Sequence, residues 1–526
     1  MNNYKFKWYK ESNIFYFVFI VNLILIFTVR FYPSIDGPSH LYNANIISHL
    51  VSGNNTPLND FYILNKIPTP NWLSHFLLSL FIFVFPAWLA EKLLLIIYLT
   101  GLVFSFRLLI KELSPDNVGL SIFIFPFAYS FLFYLGFYNY CLSFILLFFS
   151  LYYWLGTRDK KGYRKHIVMF LLLTITYFSN ILTYAFTGFC LGLFIVAFSI
   201  SNYLKNQDKW FVIKSTFKEL LFLFISAIPS LILFIIFYSN ITFSSSDHKY
   251  TTDDLFNWID VVRPLIIYDG SEGKISSQFL HLIIIIVSIS VYRRFNNPFK
   301  SYFSLINKND VLLLPILLSL VLLFIVPDGS GAGMMSDRYC IMFYMLLIIW
   351  VASQPLNDKI RQLIVLIIVF LHFALLFKHT FGVLKMLDKE AICIYKTSDY
   401  IEPNTIVLPV NFSDNWLEPN FFNYLGVDKQ IILLQNYEAS IGWFPVKWNM
   451  EKMPKVLLGN RTTISSLHWL SNTESNKVRK IDYVFLYGNT LMLNDPRWKE
   501  LKEILISDYK LIYISDNKWI ELYKLR

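Results

Sequence analysis

Long apolar runs separated by short polar stretches dominate the chain up to about residue 385. A bilayer core of about 30 Å takes about 20 apolar residues in helix, and Ile14–Phe31 and Ile360–Phe377 are runs of that kind. The runs fall at about residues 13–33, 90–111, 118–136, 138–156, 167–182, 186–203, 217–238, 276–293, 310–326, 339–354 and 362–380, which predicts about 11 full crossings. Residues 72–88 (WLSHFLLSLFIFVFPAW) are also apolar and have two readings. One is a half-crossing or a helix lying at the membrane lip, broken at Pro86. The other is a true span, which shifts the polarity of the next few loops.

From about residue 386 the period changes. Short β-like runs at 405–410 (TIVLPV), 430–434 (QIILL), 481–488 (IDYVFLYG), 510–515 (KLIYIS) and 519–525 (WIELYKL) alternate with polar and helical stretches such as Pro496–Ile506. That is the pattern of a small α/β domain. The expected fold class is therefore a polytopic α-helical membrane protein, with about 11–13 transmembrane helices over 1–385 and an α/β domain over 386–526.

Composition supports this. Of 526 residues, 55% are hydrophobic, 18% aromatic and 16% charged, against about 25% charged in soluble domains. A larger core does not absorb the shortfall, because single cores stop growing near roughly 250–300 residues. The net charge of +10 is not a nucleic-acid signal. Much of it sits in short loops between apolar runs, the mark of cytoplasmic loops. Lys5, Lys7 and Lys10 precede the first run and place the N-terminus inside. Arg107/Lys111, residues 158–165 (RDKKGYRK), 205–218 and 293–308, and more weakly Lys359/Arg361, belong to the same side. An odd number of crossings puts 386–526 outside, with loop 34–71, turns 136–140 and 179–186, loop 239–275 and the Gly-rich loop 327–338 (PDGSGAGMMSDR). The first apolar run has full length and no small-residue cleavage site after it, so a permanent first span is expected. Cys141, Cys190, Cys340 and Cys393 show neither paired nor metal-type spacing. The AT-rich flavour of the composition (Lys over Arg, many Asn and Ile) suits a bacterial inner membrane. Sequons at Asn54, Asn240, Asn411 and Asn460 keep an endoplasmic-reticulum protein open.

The stretch PSIDGPSHLYNANIISHLVSGNN after the first run carries the clearest chemistry. Asp36 stands just past the end of the expected span, before Gly-Pro. Leu41, Ile46, Ile47 and Leu50 then recur at helical spacing, predicting a helix along the membrane surface. A lip carboxylate suits general-base work or metal binding. Asp before Gly-Pro is equally good N-cap chemistry. P-loop, GxGxxG, HExxH, CxxC and GxSxG patterns are absent, and GSGAG at 329–333 has no Lys-Ser/Thr after it.

The order of these features resembles the GT-C superfamily of integral-membrane glycosyltransferases, which take a sugar from a polyprenyl-phosphate carrier. IDGPSHLYNANIISHLVSG resembles the acidic first-loop motif of bacterial aminoarabinose transferases and protein O-mannosyltransferases, and NKIPTPNWLSHFLLSLF resembles the stretch that follows it. At residue level the likeness covers about 33–110. It implies Asp36 as general base or metal ligand, acting on a polyprenyl-phosphate-linked donor and a glycan, lipid or protein acceptor. Many relatives carry two adjacent acids, whereas here the second position is Gly37; Asp60 is the other carboxylate in the loop. A divalent cation is thus left open, and no cofactor is assigned. The donor phosphate calls for cations: Lys66, where relatives place a Lys, Arg338 at the end of the Gly-rich loop, and Arg263. Each of these has the alternative reading of a snorkelling charge at a helix end. His40, one turn after Asp36, is a candidate to orient it or to touch the phosphate. His75 opens the 72–88 segment. Asn139, Asn180 and Tyr184 in the external turns are candidate sugar contacts. External Trp416, Trp443, Trp448 and Trp469 suit sugar stacking, with core packing as the alternative. Two other classes compete with the transferase: a transporter or flippase, disfavoured by the scarcity of mid-span charges and of repeats, and a non-catalytic membrane scaffold.

Overall fold

The computed structural model describes residues 4–53, 57–160, 162–204, 208–241, 248–296, 308–329, 332–449 and 481–526. Asn54, Asn460 and Trp469 lie outside these residues, as do parts of the basic segments 158–165, 205–218 and 293–308 and of the loop 327–338. The chain is mostly helical, with a small C-terminal sheet. It forms two compact units. The first is Met1–Thr28, Ile96–Tyr134 and Asn139–Val383, and the second is Val29–Leu95, Leu135–Tyr138 and Leu384–Arg526.

Among the described residues, 7 helices are long and apolar enough to cross a membrane: Ala87–Leu113, Tyr138–Thr157, Ile181–Leu204, Lys209–Asn240, Gly270–Phe295, Met335–Ala352 and Asp358–Tyr400. Glu11–Ile26, Leu73–Ile82 and Asn309–Ile325 are apolar but shorter. The expected crossing at 118–136 is not one helix. A 3₁₀ segment, Pro115–Phe123, leads into two short helices, Ile124–Ala128 and Phe131–Tyr134. Their side chains from Asn117 onward are buried. This run is apolar because protein surrounds it, a case that periodicity alone does not separate from a span. In the 72–88 segment the helix Leu73–Ile82 has 10 residues, about 15 Å at 1.5 Å per residue. That is half the thickness of a bilayer core. A new helix starts at Ala87, after Pro86, and its first amide is held by Asp428 Oδ1 at 2.7 Å.

In the second unit, Tyr62–Leu64 (β1) pairs antiparallel with Val446–Trp448 (β4). The five-stranded sheet uses Thr405–Phe412 (β2), Ile431–Leu433 (β3), Tyr483–Gly488 (β5), Tyr509–Ile514 (β6) and Ile520–Leu525 (β7), in the order β3-β2-β5-β7-β6. β2 runs parallel to β3 and β5, and β7 antiparallel to β5 and β6. Each of these five strands coincides with one of the β-like runs, whereas β1 and β4 were not expected. β5 is buried throughout and β2 nearly so, which is why both read as continuous apolar runs rather than as alternation. The helix expected over Pro496–Ile506 is Lys499–Asp508, preceded by a 3₁₀ turn at Pro496–Trp498.

The helix Gly37–Val51 departs from expectation. It is not a surface helix: Gly37 through Ser48 are all buried. Its polar side chains find partners inside the unit. Tyr42 Oη donates to the Ile431 carbonyl at 2.7 Å and accepts from the Leu433 amide at 3.1 Å. Asn43 and Asn436 exchange amide hydrogen bonds of 3.1 and 2.7 Å. Asn45 Nδ2 donates to the Gly426 carbonyl at 2.8 Å. Ser79, on the short apolar helix, donates to the Ala44 carbonyl at 3.2 Å. Buried polar groups must be satisfied, and here the C-terminal segment satisfies them.

Candidate functional site

The site starts at the turn into this helix. Pro38, in the first helical turn, has a preset φ that suits a helix start. Asp36 occupies the N-cap position, yet its side chain makes no capping hydrogen bond. The backbone is fixed instead. The Asp36 amide donates to the Leu135 carbonyl at 3.0 Å, and the His40 amide to the Asp36 carbonyl at 3.0 Å. This close approach requires Gly136, whose φ is +83°; a Cβ there would lie 2.7 Å from the Gly37 nitrogen and 2.8 Å from that of Asp36. Gly37 is constrained as well. Ser34 Oγ accepts from its amide at 3.1 Å and lies 3.0 Å from Tyr138 Oη. A side chain at 37 would press on both oxygens, so a second acid next to Asp36 would require Ser34 and Tyr138 to move.

The Asp36 carboxylate faces into the unit, where Asn420 Nδ2 donates to Oδ1 at 3.0 Å. Burial pushes its pKa up to about 6. The nearby His40 and the hydrogen bonds from Tyr437 and Asn420 restrain the rise, and Glu438 adds to it. A carboxyl with such a pKa is largely ionised at neutral pH and still a competent proton acceptor.

One turn on, His40 is 4% exposed. Its Nε2 lies 2.8 Å from the Gly136 carbonyl, which only accepts, so Nε2 carries hydrogen. Nδ1 points at Glu438, with Oε1 at 2.7 Å. His75 is fully buried and brings Nε2 to 2.8 Å from Glu438 Oε2. The Asn71 carbonyl takes a hydrogen bond from the His75 ring. Asn43 Nδ2 donates to the same Oε2 at 2.9 Å. Burial alone would raise the Glu438 pKa, but the two imidazoles more than offset it and hold the carboxyl at about 2. Burial likewise opposes a charge on His40, and the carboxylates of Glu438 and Asp36 outweigh it, so the pKa of His40 rises. The arrangement is a carboxyl of raised pKa, Asp36, beside a compact His–Glu–His cluster. The cluster's members come from the helix Gly37–Val51, the short apolar helix Leu73–Ile82 and the short helix Tyr437–Ser440.

The structure thus brings Asp36 and His40 together, with His75. Lys66 is exposed on the segment after β1. The remaining candidates belong to the first unit. Arg338 Nε donates to the Gly333 carbonyl at 3.0 Å, and its guanidinium lies 5.2 Å from the Tyr140 ring centroid. Arg263 pairs with Asp337 at 3.3 Å and sits 3.7 Å from the Phe131 ring centroid. Asn139 is buried, and its carbonyl accepts from Ser179 at 2.7 Å. Asn180 Oδ1 accepts from the amides of Leu182 and Thr183 at 3.0 and 3.2 Å, which caps the helix Ile181–Leu204. Tyr184 accepts from Ser230 at 2.9 Å and lines an apolar cavity of about 420 Å³ with Leu173, Phe189 and Phe224.

Sequence reasoning did not find Asn420, Tyr437 or Glu438. No motif surrounds them. The signal available was indirect: a helix with Tyr42, Asn43 and Asn45 on one side needs polar partners if it is buried. No protein-family model matches this chain, and no curated protein matches it.

Proposed function

We propose that the protein is a membrane-bound glycosyltransferase that moves a sugar from a polyprenyl-phosphate-linked donor to an acceptor hydroxyl on the extracytoplasmic face, with Asp36 as general base. The observation that carries this reading is the side chain of Asp36. It stands where a helix cap would stand and does not cap. It is held by Asn420 instead, with its pKa raised to about 6 by burial. A purely structural N-cap has no use for that geometry.

In the proposed step the acceptor hydroxyl attacks the anomeric carbon as its proton passes to Asp36. The bond from that carbon to the phosphate oxygen breaks, and the electron pair leaves with the polyprenyl phosphate. Stabilising the departing phosphate is the larger demand. Lys66, exposed on the unit that holds Asp36, is the candidate for that work. Arg263 is already paired with Asp337, which lowers its availability. The membrane character of the chain supports a lipid-linked donor.

The test is transfer of radiolabelled sugar from polyprenyl-phosphate donors by the wild type and by Asp36→Asn, each checked for native elution and helicity. The expected result is transfer by the wild type and its loss in the variant. Equal transfer by both sinks the role of Asp36, and no transfer from any donor of this class removes the reading.

A further inference from the structure

Two features of the His–Glu–His cluster are unusual for a simple buried ion pair. First, the nitrogens His40 Nδ1 and His75 Nε2 face each other at 3.3 Å, and all three residues offer ligand atoms within 4.8 Å of one another. Two imidazole nitrogens bound at about 2.05 Å to one tetrahedral cation would themselves stand about 3.3 Å apart. Second, each ring is anchored at its outer nitrogen and turns the other on Glu438, so that release of the hydrogens shared with the carboxylate would leave three sets of lone pairs converging on one point. The hydrogen on His40 Nε2 is committed to the Gly136 carbonyl, and the Asn71 carbonyl holds the His75 ring, whose Nε2 is turned to Glu438. A ring nitrogen tied to a backbone carbonyl with its opposite nitrogen facing a carboxylate is the arrangement that orients metal-ligating histidines. Glu438 is fully buried, and its Oε1 has no hydrogen-bond partner of good geometry, although His40 Nδ1 lies 2.7 Å away.

We propose that His40, His75 and Glu438 form a binding site for one divalent transition-metal cation of the zinc class. Two imidazoles and one carboxylate are a borderline donor set. Such a set favours Zn²⁺, Co²⁺ or Mn²⁺ over Mg²⁺ and Ca²⁺, which require oxygen ligands. The present 2.7 and 2.8 Å nitrogen–oxygen distances would lengthen by about half an ångström around the ion, to the same tetrahedral edge. Three protein ligands leave a fourth position open, as in catalytic rather than structural zinc sites. A divalent ion also balances the charge of Glu438 together with that of Asp36. If the transferase reading holds, the open position takes an oxygen of the donor phosphate or of the acceptor. The cation site itself stands without that reading.

The experiment uses the full-length protein in detergent, stripped with a chelator and titrated with Zn²⁺ by calorimetry and with Co²⁺ by visible absorption, with no sugar donor present. About one equivalent is expected to bind, with Mg²⁺ failing to compete. Glu438→Gln and His75→Ala should weaken binding by about 100-fold or more, whereas His281→Ala should bind like the wild type. Loss of fold in these variants is guarded against by His75→Cys. It keeps a ligand atom and should add a thiolate-to-cobalt charge-transfer band, a gain that a misfolded chain does not produce. The proposal is overturned if the stripped wild type binds neither ion, if the Glu438 and His75 variants bind as tightly as the wild type, or if His75→Cys binds cobalt without the new band. Because no donor is present, none of these outcomes depends on transferase activity.

Discussion

Asn420 reaches across 384 positions of sequence to give its side-chain amide to Asp36 Oδ1 at 3.0 Å. With the hydrogen bond from Tyr437, it holds a carboxylate that makes no capping bond to the helix it precedes. Hydrogen bonds to charged groups contribute about 1.5–3 kcal/mol. Asn420→Ala should therefore lower kcat/KM for transfer by about 10- to 100-fold, while the protein keeps its elution profile. Asn420→Asp should do more damage by adding a second carboxylate beside Asp36. Unchanged kinetics in both variants would separate Asn420 from the chemistry.

The pKa of Asp36 sets a pH dependence in the chelated, cation-free protein. In the proposed step Asp36 accepts the proton in its ionised form, so kcat/KM should fall as pH drops through about 6. Asp36→Asn should lose about 100-fold or more at every pH. The stability consequence has the opposite sign. The folded pKa of about 6 lies above the model-peptide value of 3.8. Over that window the unfolded chain has shed a proton that the folded chain keeps, so stability falls as pH rises and stays lower above it. Asp36→Asn should thus melt above the wild type at pH 7.5, by about 1–3 kcal/mol, and level with it near pH 4. Thermal scans at the two pH values decide this.

Gly136 is a steric keystone for the same turn. Gly136→Ala must place a methyl group within 2.8 Å of two backbone nitrogens at a φ of +83°. A left-handed non-glycine residue costs about 1–2 kcal/mol before any clash is counted. A drop in melting temperature accompanied by loss of transfer is expected; a wild-type melting curve would contradict the close approach of residues 135–138 to Asp36.

Tyr42→Phe tests the burial of the helix Gly37–Val51. It removes the hydroxyl that serves the Ile431 carbonyl, the Leu433 amide and Tyr62 Oη at 2.9 Å. Unsatisfied buried groups cost about 1–3 kcal/mol, so chemical denaturation should shift by that amount. A helix lying on the membrane surface would show no such shift.

Arg263 separates a structural role from phosphate binding. Arg263→Ala leaves Asp337, 4% exposed, without its partner. Breaking such a pair costs about 3–5 kcal/mol. Adding Asp337→Asn should restore most of that stability. If the restored double variant transfers normally, Arg263 serves only Asp337; a raised KM for the donor would assign it to the phosphate.

Much of this architecture was legible in sequence. The five strands of the C-terminal sheet coincide with apolar runs bounded by turn residues, and Ile181–Leu204 and Met335–Ala352 lie where hydrophobic length put them. Two things were not legible. Residues 115–134 have the composition of a span but are a buried, broken segment, because protein and lipid select the same side chains. Helix Gly37–Val51 alternates apolar and polar positions as a surface helix does, but its polar side packs on protein. For the site, Asp36 and His40 stood in a recognisable loop. Glu438 stands 363 positions from the His75 it pairs with, and no local pattern announces so distant a partner.

The spread of the cluster along the chain also has a biosynthetic consequence. Positions 40 and 75 leave the ribosome well before 420, 437 and 438 are translated. A nascent chain stopped before these residues carries Asp36 without the Asn420 amide and two imidazoles without their carboxylate. On the proposed function, a chain that stops before these residues is expected to be silent in both sugar transfer and cation binding.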